Sequence, residues 1–181
     1  MRANQEKVRA TKGATRRKAQ SRIREKAEVA SLEFDNVVKR MRPLLVALIG
    51  QEPIPLGEAT QFPARPGVYL ITDATGHLYT GRCKSIRQRM KNHGGKAPES
   101  STFAFRLACD KIGRKATYKK GEGRKDLMAD ANFKKAFLEN VEKIRQMKVR
   151  HVVIDDDITQ HLFEVYVHLA LRTPHNSFGT H

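Results

Sequence analysis

The stretch GVYLITDATGHLYTGRCKSIRQRMKNH, residues 67–93, has the pattern of a β-hairpin followed by a short helix. Residues 74–76 separate two runs that are rich in β-branched and aromatic side chains, which predicts a hairpin with a three-residue loop. Such a loop pairs Tyr69 with Gly81 and places Tyr69 and Tyr79 diagonally on one face. Two tyrosines in this position lie within reach of a shared ligand.

The helix that follows the hairpin carries two polar groups at the edge of its apolar stripe. Ser85 is an N-cap candidate, and Arg89 and His93 stand four residues apart beyond it. Charged groups that border a buried face usually have a partner. Together with the two tyrosines, Arg89 and His93 predict a functional site between the hairpin and this helix.

A second candidate group lies near the C-terminus. Residues 158–172 form an apolar run after the three aspartates 155–157, which predicts a capped helix that is buried on most sides. Its polar exceptions, His161, Glu164 and His168, fall on one stripe. A glutamate in so apolar a helix needs a cation, so either a salt bridge to Lys or Arg or a metal ion is expected there. The same stripe also permits a transition-metal site.

Composition indicates a polyanionic partner. The 181 residues carry a formal net charge of +16, which favours nucleic acid. Cys83 and Cys109 have neither disulfide-framework nor zinc-ligand spacing, so a reducing, cytoplasmic compartment is expected, with nucleoid association when DNA is bound. No apolar run reaches membrane length, and no membrane partner is expected.

Charge and proline content divide the chain. Residues 1–30 contain ten Lys and Arg against three Glu, which predicts a basic arm that is either disordered or a solvated helix. Residues 31–61 combine a core-facing helical pattern with a Pro-rich connector. Residues 62–181 form the main domain, with a basic insertion at about 95–148. The candidate nucleic-acid contacts of this insertion are Arg114, Lys115, Lys119, Lys120, Arg124 and Lys125.

The remaining patterns complete the fold class. Residues 102–112 and 132–147 have helical periodicity, and residues 149–155 alternate like a strand. The sequence therefore predicts an α+β domain with a small, three-stranded antiparallel sheet flanked by helices, preceded by an N-terminal helical extension.

The residues quoted above resemble a known family. The triplets 67–69 and 79–81, with Arg89 and His93 at matching distances, resemble the GIY-YIG nucleases. The lead-in FPARPGVYLI, residues 62–71, is similar to the form found in the nuclease subunit of bacterial excision repair. This resemblance implies a GIY-YIG-like fold and metal-dependent hydrolysis of DNA phosphodiester bonds, with Mg²⁺ or Mn²⁺ as cofactor.

The resemblance also implies roles for individual residues. Glu164 resembles the family's metal-binding glutamate, and Asn176 resembles the asparagine that often closes the motif. Arg89 would bind the scissile phosphate. A tyrosine, most often that of the first triplet and here Tyr69, would take a proton from the attacking water. Tyr79 would position the water or the phosphate.

Several supporting roles follow from the same comparison. His93 would orient Tyr79 or shuttle a proton, and the roles of His93 and the two tyrosines are interchangeable at this stage. The tyrosine needs activation by positive charge, for which Arg82, Lys84 and the metal ion are candidates. The supporting positions are Gly67, Gly81, Arg82, Lys84 and Asn176.

Two other classes of function remain open. One is a nucleic-acid-binding module that keeps the GIY-YIG fold without turnover. The other is a basic RNA- or ribosome-associated protein in which Tyr69 and Tyr79 only pack. Protein partners, the DNA sequence or structure recognised, and the oligomeric state are not specified by the sequence.

Overall fold

The computed structural model describes residues 2–117 and 119–176, with side chains from residue 20 onward. Within these residues the chain forms six α-helices, four strands and a 3-10 turn at Ala59–Gln61. The helices and strands are α1 (Arg2–Ile49), β1 (Ile54–Pro55), β2 (Gly67–Asp73), β3 (Gly76–Cys83), α2 (Ile86–His93), α3 (Thr102–Ile112), α4 (Arg124–Ala129), α5 (Ala131–Gln146), β4 (Lys148–Val153) and α6 (Asp157–Leu171).

The strands form one antiparallel sheet in the order β1-β4-β2-β3. The predicted α+β class with a flanked antiparallel sheet is confirmed, but the sheet has four strands rather than three. The additional strand is the two-residue β1, in which Ile54 pairs with Val149. Pro55 has no N–H to donate, which suits a strand at the edge of the sheet.

The hairpin pairs Tyr69 with Gly81 and Ile71 with Tyr79, as the sequence predicts. The two tyrosine rings lie on the same face, with their centroids 6.2 Å apart. This register brings the first and second triplets together.

The predicted loop of this hairpin, residues 74–76, is one residue too long at its C-terminal side. Asp73 pairs with Gly76 rather than with His77, so the loop has two residues, and a register shift next to Thr72 restores the predicted pairing farther down the strands. The Asp73 carboxylate accepts hydrogen bonds from the amide and hydroxyl groups of Thr75, and Gly76 has a φ of +134° that favours glycine.

Helices cover both faces of the sheet. The main core contains Tyr69 and Ile71 of β2 together with apolar residues of α2, α3 and α5. α6 packs against β2 and β3. The prediction that this helix is buried on most sides is wrong, because Ile158 is 66% and Leu169 is 68% exposed. β3 is one of the two edge strands, and its side chains alternate between the helical layers on the two faces of the sheet.

The chain divides into two compact units, residues 1–42 and 43–181. α1 continues through Pro43, and within the second unit Leu48 of this helix is fully buried. In the first unit Leu32 is 64% exposed whereas Met41 is buried, so only part of the predicted core-facing side of the helix is buried there. The predicted basic arm is helical from Arg2, and its side chains before residue 20 lie outside the described residues.

Gly67 lies where β2 and β4 approach each other closely. A Cβ atom at this position would lie 2.1 Å from the carbonyl oxygen of Val152, so Gly67→Ala must displace backbone. We expect this substitution to lower the free energy of unfolding by about 2 kcal/mol or more, measured by urea denaturation.

Gly94→Ala is the matched control for Gly67→Ala. A Cβ on Gly94 would make ordinary contacts, the nearest at 3.5 Å, and its φ of −81° suits any residue. Its effect should stay below about 1 kcal/mol. Equal stability of the two variants would contradict the close approach.

Candidate active site

The hydroxyl group of Tyr69 is the centre of the candidate site. Tyr69 is fully buried on β2, and its oxygen lies 2.8 Å from Nε2 of His93. Nε of Arg89 donates a hydrogen bond to the same oxygen at 3.1 Å. α2 supplies both partners one turn apart, so the spacing seen in the sequence brings both side chains to one hydroxyl.

The charge of Arg89 determines the direction of one of these hydrogen bonds. Because a guanidinium is only a donor, the Tyr69 oxygen accepts from Arg89. Burial, and then the positive charge of Arg89, hold the pKa of His93 well below its ordinary value, so the imidazole is neutral and shares a second hydrogen bond with the Tyr69 hydroxyl through Nε2. The other ring nitrogen, Nδ1, is buried and has no hydrogen-bond partner among the described residues.

The surroundings of Tyr69 do not lower its pKa. Burial, and then the neighbouring Tyr79, raise the pKa of Tyr69 well above its ordinary value, and Arg89 offsets only part of this rise. The activation expected from Arg82 and Lys84 is therefore not produced by the protein itself. Arg82 is instead paired with Glu164, and Lys84 is exposed.

Arg89 is anchored at its other end by the start of α3. Its Nη2 donates to the hydroxyl of Thr102 at 3.0 Å, and its Nη1 donates to the carbonyl oxygen of Ser100 at 3.4 Å. Neither contact is predicted from the sequence. Polar residues at 100–102 are a weak signal, because only the packing of α3 against α2 brings the Ser100 carbonyl and the Thr102 hydroxyl to Arg89.

Gly81 provides the space that the Tyr69 hydroxyl occupies. A Cβ atom at Gly81 would lie 2.4 Å from this hydroxyl and 2.6 Å from the carbon that bears it. The glycine of the second triplet is thus required by the tyrosine of the first, which agrees with the open space predicted beside Tyr69.

Tyr79 lies on the more open side of the site. It is half-buried, and its ring stacks on Phe103 with centroids 5.0 Å apart and planes 16° apart. Its centroid lies 6.0 Å from that of His93, and Tyr79 also interacts with the guanidinium of Arg89. The structure therefore brings together Tyr69, Tyr79, Arg89 and His93.

Glu164 approaches the edge strand from the α6 side. Its carboxylate lies 3.2 Å from Nε of Arg82 on β3, and its side chain is 19% exposed. Of the two partners that the sequence allows for Glu164, a basic side chain or a metal ion, the basic side chain is thus present. Burial raises the pKa of Glu164, and Arg82 and Arg89 offset part of this rise, so the carboxylate is within electrostatic range of the tyrosine–arginine group.

The donor set does not form a closed metal cage. Among the described residues, no group of three or more His, Cys, Asp or Glu is placed to hold a metal ion. The alternative transition-metal site is thus not assembled: Nδ1 of His161 contacts the Asp157 carbonyl at 2.6 Å, and Nδ1 of His168 lies 2.9 Å from the Thr173 hydroxyl. A single Glu164 fits a hydrated Mg²⁺ completed by water and phosphate oxygens, because Mg²⁺ often takes only one or two protein carboxylates.

Asn176 holds the middle of the second triplet. Its side-chain oxygen accepts from the amide of Thr80 and its side-chain nitrogen donates to the carbonyl of Thr80, both at 2.8 Å. Thr173 donates to the same Asn176 oxygen at 2.8 Å. The residue predicted as a supporting asparagine therefore joins the loop after α6 to β3.

The basic residues predicted for nucleic-acid contact are in different surroundings. Lys115 and Arg124 line a cavity beside Tyr79. Arg114 pairs with Asp130 at 3.3 Å. The other three, which are exposed and do not line that cavity, are Lys119, Lys120 and Lys125.

Comparison with known proteins gives one partial similarity. The chain is 44% identical over 48 residues to a UvrABC system protein C from Trichlorobacter lovleyi. The match covers 26% of this chain and 8% of the length of that protein. No family model and no solved structure matches the chain. Among the described residues, no helix has the length and apolar character needed to cross a membrane.

Buried, neutral His93 should make the stability of the protein fall in mild acid. Below about pH 6.5 the unfolded chain binds a proton at this histidine, whereas the folded chain does not because its pKa is lowered by burial. The free energy of unfolding should therefore decrease as the pH falls, by up to ~1.4 kcal/mol per pH unit from this group. Urea denaturation between about pH 5 and pH 8 measures the slope.

The protein has other histidines that contribute to the pH dependence of stability. A comparison of the slope between variants therefore isolates the contribution of His93. His93→Gln should flatten the slope relative to the unmodified protein, and His161→Gln, at an exposed position of α6, controls for the change of residue type. An equal slope in His93→Gln and the unmodified protein would contradict a neutral, buried His93.

Proposed function

We propose that this protein is a metal-dependent endonuclease of the GIY-YIG type that hydrolyses DNA phosphodiester bonds. The observation that carries the proposal is the buried hydrogen-bonded group of Arg89, Tyr69 and His93, with Glu164 at the adjoining edge of the sheet. The resemblance of both triplets to that family, and the partial similarity to a UvrABC system protein C, support the same assignment.

Arg89 is suited to bind the scissile phosphate. A guanidinium has five N–H donors, and three contacts fix this one: Tyr69, Ser100 and Thr102. A fourth interaction, with Tyr79, also engages the guanidinium, so one N–H group is left for a non-bridging phosphate oxygen. Because both ends of the side chain are held before substrate arrives, little side-chain entropy is lost on binding.

Accessibility assigns different roles to the two tyrosines. Tyr69 is fully buried and shares its hydroxyl between Arg89 and His93, so it positions these groups. Tyr79 is half-buried and faces a cavity, so it is the tyrosine that contacts the attacking water or the phosphate. Neutral His93 is the neighbouring proton acceptor for this pair.

Glu164 is the protein ligand that we assign to Mg²⁺ or Mn²⁺. A bound ion of this kind supplies charge stabilisation for the phosphate and for the leaving 3′ oxygen. Arg82 holds the carboxylate in place at the edge of β3. Because the pKa of Glu164 is raised by burial, protonation should remove the metal ligand at a higher pH than for an exposed glutamate.

The charge distribution supports DNA as the substrate. The net charge of +16 attracts a polyanion, and the basic side chains of α1 that the structure describes are all exposed: Arg22, Arg24, Lys26, Lys39, Arg40 and Arg42. Phosphate contacts of this kind are independent of base sequence and weaken with salt. We place this activity in the cytoplasm, at the nucleoid when DNA is bound.

Cleavage of supercoiled plasmid at constant ionic strength, with Mg²⁺, Mn²⁺ or EDTA, tests the proposal. Arg89→Ala, Tyr79→Phe and Glu164→Gln should each reduce the rate by about 100-fold or more, because each removes a group that contacts phosphate, water or metal. Tyr69→Phe should reduce the rate less than Tyr79→Phe does. EDTA should abolish cleavage by the unmodified protein.

Matched controls separate chemistry from general damage. Lys91→Ala removes a positive charge from an exposed position of α2, and Tyr166→Phe and Glu142→Gln change the same residue types away from the site, so all three variants should retain activity. DNA binding should persist in the three inactive variants. If the unmodified protein binds DNA but cuts no plasmid, branched or single-stranded substrate with either metal ion, the nuclease proposal is wrong and the binding-module reading replaces it.

A further inference from the structure

A cavity of about 890 Å³ lies beside Tyr79. It is enclosed by α3, by the basic loop that follows α3 and by the loop that follows α6. Pockets for small organic ligands have volumes of about 300–1,000 Å³, so this cavity is large enough for one nucleotide. The residues of its lining that carry the argument are Arg106, Asp110, Lys115, Ala116, Arg124 and His175.

The cavity begins at the candidate active site. Tyr79, Thr102 and Asn176 all belong to its lining. Thr102 holds the guanidinium of Arg89, and Asn176 holds the backbone of β3 next to Tyr79. A group bound in the cavity could therefore be linked through a few covalent bonds to a phosphate bound at Arg89.

The net positive charge of the residues that line the cavity favours an anionic ligand. Arg106, Lys115 and Arg124 contribute three positive charges, and Asp110 is the acidic residue of the lining. The carboxylate of Asp110 lies 3.9 Å from Nδ1 of His175. The imidazole of His175 can donate a hydrogen bond to, or accept one from, the polar edge of a bound ring. Arg106 donates to the carbonyl oxygen of His175, so that the two side chains are held on one wall.

The same lining offers flat surfaces. Phe103 lies between Tyr79 and His175, with ring centroids 5.0 and 5.4 Å away. The His175 side chain is 26% exposed, and the guanidinium of Arg124 lies 4.6 Å above the centre of the Phe105 ring. Imidazole rings and guanidinium planes are surfaces on which nucleobases stack. A phosphate together with a planar ring is the chemistry of a nucleotide.

We propose that this cavity binds one unstacked nucleotide of the substrate strand, next to the scissile phosphodiester. A base inside an intact duplex is paired and stacked, so it can enter only after flipping or where the strand is already unpaired. Substrates with unpaired or weakly paired nucleotides are then preferred. This inference deepens the proposed function and depends on it for its meaning, but its binding test does not require cleavage.

Titration of the full-length protein with each of the four deoxynucleoside monophosphates in EDTA, by calorimetry, tests the site. We expect saturable binding at one site, weakened about tenfold by Lys115→Ala, which removes one cation of the lining. Ala116→Trp should abolish binding because the indole takes up space in the cavity that the base would need. The three substituted positions, Lys115, Ala116 and the control Lys134, are exposed, so the variants should fold.

Lys134→Ala removes the same charge from α5, away from the cavity, and should bind as the unmodified protein does. An oligonucleotide with 2-aminopurine beside the cleavage position should change in fluorescence on binding, and the Ala116→Trp variant should lose this change. Absence of saturable monophosphate binding, or equal binding by Ala116→Trp, would overturn the nucleotide site.

The two proposals fail in different ways. If plasmid is cleaved with metal but Ala116→Trp cleaves gapped and fully paired DNA with the same relative efficiency as the unmodified protein, the nucleotide site is wrong and the nuclease stands. If monophosphates bind and Ala116→Trp abolishes this binding while no DNA is cut, the site stands as a nucleotide-binding site and the nuclease fails.

Discussion

The hydrogen bonds of the buried Tyr69 hydroxyl are the constraint on which the candidate site depends. A phenol group inside a core costs free energy unless it is paired, and here the hydroxyl accepts from Arg89 and shares a second hydrogen bond with His93. The same hydroxyl requires glycine at position 81, because any Cβ there would overlap it. One buried polar atom therefore accounts for residue types on β2, β3 and α2.

The position of β3 between two helical layers explains how the rest of the site assembles. Because successive side chains of a strand point to opposite faces, the face of Gly81 lies towards Tyr69 and Arg89, which α3 anchors, while Arg82 on the other face reaches Glu164 of α6. Asn176 then holds the backbone of this strand from the loop after α6. Segments that are far apart in sequence meet because the central hairpin packs between them.

Local pattern was sufficient wherever a structure is decided by near neighbours. The hairpin pairing, the α2 cap at Ser85 and the bounds of α3 follow from spacing, capping and periodicity. Local pattern failed where packing between elements decides which side chains are buried. The apolar faces of α1 and α6 predicted burial, yet Leu32 and Leu169 are largely exposed, because periodicity describes which face is apolar and not whether another element covers it.

The sequence by itself determined which residue types share a face: the two tyrosines on the hairpin, Arg89 and His93 one turn apart, and Glu164 on the late helix. The periods of strand and helix impose these relations without tertiary contacts. Only the tertiary structure decided that Tyr69 is buried with a raised pKa, that Ser100 and Thr102 hold Arg89, and that a cavity opens beside Tyr79. Burial and desolvation depend on all the elements packed around a group, and no local pattern specifies them.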